Sequence, residues 1–209
     1  MKKRVMFLHD TFPAGGAERV TLDIANYVKT FGYEVFVCSR LLNVFENKNI
    51  QVIELPDKET LDSYINIDFL INTVKKLDIN IFILVGQKLV DLSEEMHLRT
   101  SCKLVFSLHS IPLWEIVHFL YEKKKKGRKS IGKMLEWYLL TYPKTMWLRK
   151  YDKLIINTYD RIYQSVNVFT VLCEEYKRQY LQIWKPNQDK INVIYNTERV
   201  LGTVNLDKK

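Results

Sequence analysis

The sequence predicts an α/β fold, a mostly parallel sheet with helices on both faces. Three observations carry this. Short apolar runs of strand length alternate with helical stretches along the chain. Two of the runs, Ile81-Phe82-Ile83-Leu84-Val85 and Leu104-Val105-Phe106, are apolar almost without a break, as strands covered on both faces are. A third, Val5-Met6-Phe7-Leu8, leads through paired glycines into the helical stripe Ala17, Val20, Ile24, Tyr27, Val28 and Phe31, which stops at Gly32.

In chain order, the expected strands run from Arg4 to His9, Glu34 to Ser39, Gln51 to Glu54, Ile79 to Val85, Lys103 to Leu108, Val168 to Leu172 and Lys190 to Ile194. Expected helices run from Ala17 to Phe31, about Ile67 to Leu77, Lys88 to His97, and Cys173 to Gln182, with one or two more between Leu113 and Arg149. At 209 residues and 47% apolar content the chain suffices for one sizeable core and is short for two domains. There is no apolar run of about 18 residues, and the N-terminal one is cut at His9-Asp10, so neither a membrane span nor a secretory signal is expected. Cys38, Cys102 and Cys173 are odd in number and widely spaced, which fits a reducing cytoplasm, and Cys38 and Cys102 border apolar runs as core thiols do.

Charge is concentrated in one place. Between Tyr121 and Lys153, eleven basic residues face three acidic ones, a net +8 that equals the charge of the whole chain. A protein balanced everywhere else and basic here has a local anionic partner as its natural reading. Trp114, Tyr121, Trp137, Tyr138, Tyr142 and Trp147 interleave or flank the charge. Three readings stand: docking to an anionic membrane or lipid acceptor, nucleic-acid binding, or a solvated loop between helices whose aromatics are core. The cations concerned are Lys123, Lys124, Lys125, Lys126, Arg128 and Lys129.

The junction Pro13-Ala14-Gly15-Gly16-Ala17-Glu18-Arg19 says most about chemistry. Paired glycines let backbone approach a ligand, and the helix start behind them offers unpaired N–H groups to an anion. A turn needing glycines only for packing stays open as the plain alternative. The stretch from His9 to Val35, with its Gly-Gly-Ala-Glu-Arg and Gly-Tyr-Glu-Val, resembles the opening of GT-B glycosyltransferases of the family-4 type. Lys190 to Thr197 is similar to the segment that leaves the N-terminal domain of those enzymes, with Thr197 in place of the usual Gly. Val168 to Tyr176 resembles another strand-to-helix turn of the family, with Cys173 where Ser is usual.

The resemblance implies a Rossmann-like N-terminal, acceptor-side domain over residues 1–196, with 113–153 a basic, aromatic helical insertion. Residues 197–209 would be a tail or the start of a C-terminal domain that holds the nucleotide-sugar. It implies transfer to a polysaccharide or lipid-linked acceptor with a nucleotide-sugar as co-substrate, no cofactor and no metal. Little turnover is expected without the donor-binding domain or a partner chain that carries it. Gly15, Gly16, His9 and Arg19 would line the donor-phosphate cleft, His109 at a strand end would face the sugar, and Asn196 would lie between domains. Glu18 needs no reason beyond the helix dipole. His97 and His118 read as structural or solvated, and the four histidines have no metal-ligand spacing. Two rivals remain: a non-catalytic subunit that docks acceptor or membrane for a donor-binding partner, and a doubly wound nucleotide-binding protein unrelated to sugars.

Overall fold

A computed structural model describes residues 3–13, 15–43, 50–112, 114–127, 130–143 and 150–195. Seven parallel strands form one sheet: β1 Arg4–Phe12, β2 Glu34–Leu42, β3 Gln51–Glu54, β4 Ile81–Val85, β5 Lys103–Ser107, β6 Val168–Val171 and β7 Ile191–Val193. Their order is β3-β2-β1-β4-β5-β6-β7. The helices are α1 Gly16–Thr30, α2 Tyr64–Lys76, α3 Val90–Arg99, α4 Trp114–Gly127, α5 Ile131–Glu136, α6 Lys150–Ser165 and α7 Glu174–Trp184. A π-helical turn, Trp137–Thr141, continues α5. All seven expected strands are present, most with their ends shifted by one to three residues.

Strand alternation sorts the core into two layers. Met6, Leu8, Phe82, Leu84, Phe106 and Phe169 point to the face covered by α2, α3, α6 and α7. Val5, Phe7, Val35, Val37, Ile81 and Ile83 point to the other, against α1. The second layer is unevenly covered. Val35 and Val37 are buried, whereas Ile81, Ile83, Val105 and Val168 on β4 to β6 are only half-buried and Lys103 is exposed. Among the described residues, α1 is the helix that packs on this face.

At the end of α1, Gly32 takes φ +80°, and its N–H donates to the Lys29 carbonyl at 2.9 Å. This left-handed turn is why the stripe stops there. The Phe12–Pro13 peptide is cis.

Helix α6 is the element that the sequence reading leaves out. Its buried Ile155, Tyr159, Ile162 and Tyr163 keep helical spacing, and Tyr159 meets Phe106, Phe169, Tyr180 and Trp184. Asn157, Thr158 and three tyrosines weaken its intrinsic helix preference, so packing is what holds it. Lys150 and Lys153 lie on this core-packed helix.

Most of the described aromatics between Trp114 and Tyr142 are exposed, which differs from the expectation that they are core. From Ile131 to Tyr142 only Trp137 is buried, and Ile131, Leu139 and Leu140 are 76%, 68% and 65% exposed. Trp114 and Tyr121 on α4 are exposed too. Among the described residues no helix is long and apolar enough to cross a membrane.

Candidate functional site

The strand order reverses between β1 and β4, and open α/β sheets bind ligands outside the carboxyl ends of strands at such a point. β1 pairs with β4 up to Leu8↔Leu84 and continues beyond it along β2, so His9 stands where the β4 side of β1 becomes free. β4 is followed by Gly86, whose φ of +68° turns the chain away while its N–H donates to the Ser107 carbonyl at 2.8 Å. β5 ends in the same plane, two residues before His109.

Helix α1 starts beside this gap. Gly15 occupies its N-cap position without a side chain to close the first amides, so those N–H groups are open to an anion. Neither Gly15 nor Gly16 has a positive φ. Turn geometry alone thus does not call for glycine, and the remaining reason is space. A Cβ on Gly16 would meet nothing within 4 Å, and one on Gly15 would meet the Glu18 Oε2 at 3.3 Å. The bend is exposed and not packed shut. Arg19 is exposed as well, in the first turn, and forms no ion pair among the described residues.

His9 and His109 converge on Glu18. His9 is buried, its Nε2 2.9 Å from the Thr21 Oγ1 and its Nδ1 3.6 Å from the Glu18 Oε1. Burial pushes the His9 pKa down to about 4; the Glu18 carboxylate works against this and His109 works with it. Burial also holds His109 below the usual imidazole range, again opposed by Glu18. Two neutral imidazoles beside one carboxylate make a site that hydrogen-bonds rather than one that carries fixed positive charge.

His109 is held from behind by hydroxyls. Its Nε2 lies 3.0 Å from the Ser107 Oγ, and the Thr170 hydroxyl donates to that same oxygen at 3.1 Å. Further along the chain, Glu115 is buried at the start of α4. Its Oε1 receives Lys88 Nζ at 2.6 Å and the Tyr159 hydroxyl at 3.0 Å.

Of the residues singled out in the sequence, His9, Gly15, Gly16, Arg19 and His109 all fall at the carboxyl edge of the sheet. His9 is buried beneath α1 and does not line an open wall. Asn196, Arg128 and Lys129 lie outside the described residues, as do the side chains of Lys123 and Lys126. Lys124 is half-buried and Lys125 exposed on α4, on a different element from His9 and His109. His97 and His118 are exposed.

Sequence reasoning missed Glu18, Thr21, Ser107 and Thr170 as parts of the site. Thr21 sits one helical turn after Glu18, and Ser107 shares a strand face with His109; those spacings were the available signals. Among the described residues no group of three or more His, Cys, Asp or Glu is placed to hold a metal ion. A cleft of about 440 Å³ under α1, lined by Val5, Phe7, Ile24, Val28, Ile81 and Ile83, opens toward the amino ends of the strands, away from this site.

Residues 14–197 match the family described as Glycosyltransferase Family 4. HepE of Anabaena, solved with UDP and glucose, is similar in fold, with a TM-score of 0.56 at 15% identity over 93% of this chain and 44% of that one. WaaG, a glycosyltransferase involved in lipopolysaccharide biosynthesis, gives 0.54 at 15% over 91% and 44%. Sucrose-phosphate synthase of Thermosynechococcus elongatus gives 0.60 at 10% over 92% and 48%. The chain spans less than half the length of each. No curated protein matches the sequence.

Proposed function

Because the chain belongs to glycosyltransferase family 4, we propose that it is the acceptor-side half of a GT-B enzyme moving a sugar from a nucleotide-sugar to a glycan or lipid-linked acceptor. The observation that carries this is the meeting of an uncapped α1 start with His9, Glu18 and His109 at the strand-order reversal. In this reading the amides of Gly16 and the next residues approach the donor diphosphate, with Arg19 free to assist, and His109 hydrogen-bonds the transferred sugar. Departure of the diphosphate needs further fixed positive groups. They are supplied by a donor-binding domain, on the same polypeptide or on a partner chain, across the cleft from Gly15 and Gly16. The chemistry is retaining and needs no metal.

The test has two arms. Titrated alone with UDP-glucose and other nucleotide-sugars, the chain binds weakly, with Kd on the order of 1 mM or above, since half a cleft leaves most of the ligand in water. Mixed with a donor-binding family-4 domain, it supports transfer, and His109→Ala lowers the rate by about a hundredfold or more. Micromolar nucleotide binding by this chain alone would support the rival nucleotide-binding reading instead.

The same reading places α4, α5 and the π-helical turn on a membrane. Ile131, Leu135, Tyr138, Leu139 and Leu140 are apolar and exposed, with no cover among the described residues, and Lys124, Lys125 and Lys133 lie on the same two helices. That pairing suits the headgroup boundary of an anionic bilayer, where each nearby cation contributes roughly 1 kcal/mol. A cytoplasmic protein docked on the inner surface would meet a lipid-linked acceptor there. The parent chain should sediment with phosphatidylserine vesicles, and both a Lys123–Lys126 to Ser variant and Leu139→Asp should release it. Equal binding by both variants rules the docking out. Binding to single-stranded RNA but not to vesicles would favour nucleic acid.

A further inference from the structure

We propose that Ser107 and Thr170 are positioning residues that fix the His109 ring in the tautomer with its proton on Nδ1. The observations lie on three successive links. Ser107 and Thr170 are Cα partners on neighbouring strands, so their side chains stand side by side on one face of the sheet. Thr170 is 3% exposed, and its single hydroxyl proton has two acceptors within reach. The Ser107 Oγ at 3.1 Å is closer than the Phe106 carbonyl at 3.4 Å. Among the described residues the acceptor within reach of the Ser107 hydroxyl proton is the His109 Nε2, 3.0 Å away, so the proton is assigned there.

A nitrogen that accepts a hydrogen bond carries no proton, so the neutral ring keeps its proton on Nδ1. Imidazole free in water favours the other tautomer, and the half-buried Ser107 hydroxyl with the buried Thr170 hydroxyl behind it reverses the preference. The nitrogen left for a ligand is then a donor. It suits a sugar oxygen or an anionic oxygen and, being already protonated, takes no proton from an acceptor hydroxyl. This consequence rests on the sugar-facing role of His109 given above; the tautomer itself does not.

The experiment is a ¹⁵N–¹H correlation of the imidazole nitrogens in the 209-residue chain near pH 8, with His109 identified by the loss of its signals in His109→Gln. The parent should show an unprotonated, downfield Nε2 and a protonated Nδ1. Ser107→Ala should lower the ratio of the Nδ1–H to the Nε2–H form by about fivefold, the factor that one ordinary hydrogen bond sets. Thr170→Val, nearly equal in shape, should shift it the same way by less, and Ser107→Thr should restore the parent ratio. Residues that merely pack would leave the ratio unchanged in every variant. An Nε2–H ring in the parent, or a parent ratio in Ser107→Ala and Thr170→Val alike, overturns the proposal. No sugar enters the measurement. An Nδ1–H ring without transfer sinks the sugar reading alone, and transfer by an Nε2–H ring sinks this inference alone.

Discussion

His9→Gln should remove an acid sensitivity built into the junction of β1 and α1. The imidazole is 2% exposed, so its protonation must either desolvate a charge or open the structure. Its pKa is pushed down by burial to about 4, from about 6.5 in an unfolded chain. Between these values the unfolded state binds a proton that the native state refuses, so the stabilisation is complete above pH 6.5 and is lost as pH falls through about 4. Linkage over the two pKa values gives a loss of about 2 kcal/mol on going from pH 8 to pH 5, and about 3 kcal/mol by pH 3. Gln keeps a polar atom near the Thr21 hydroxyl that His9 meets at 2.9 Å, but cannot titrate. Urea unfolding followed by tryptophan fluorescence, at several pH values from 8 to 5, measures both chains. The stability gap between parent and variant should shrink by about 2 kcal/mol across that range. A gap constant to within about 0.5 kcal/mol would mean that His9 is not the buried neutral ring described here.

Glu18→Gln removes the carboxylate that raises both ring pKa values, so His9 and His109 should each titrate at lower pH than in the parent, as read from imidazole ¹⁵N shifts; an unchanged His109 would break the link between the two rings. Gly16→Ala meets open space at a helical position, so thermal unfolding should show unchanged or slightly raised stability, by up to about 1 kcal/mol, while transfer with a donor domain falls. Tyr159→Phe deletes the hydroxyl 3.0 Å from the buried Glu115 carboxylate and should cost about 1.5–3 kcal/mol in urea unfolding, with Lys88 left as the partner.

The parts of the protein that local chemistry governs were legible in the chain. Strand runs such as Ile81–Val85 declare themselves because a two-faced sheet tolerates few polar residues, whatever their neighbours. The β1–α1 junction was legible for a similar reason, since the apolar run, the two glycines and the helical stripe are contiguous. Gly32, at φ +80°, is likewise a local matter. The ring of His109 stood out by position, two residues past an apolar strand.

Tertiary structure decided what those residues face. Glu18 satisfies a helix dipole on sequence grounds, and only the fold brings it to His9 and near His109, which lies about ninety positions further along. Ser107 and Thr170 meet through a pairing of strands separated by the whole helical insertion, which no spacing in the chain encodes. The residues from Ile131 to Leu140 show why periodicity has this limit. Helical spacing tells which side chains share a face, but whether core, solvent or membrane covers that face depends on the elements packed against it. Hydrophobic pattern is a property of a segment, and burial is a property of its neighbours.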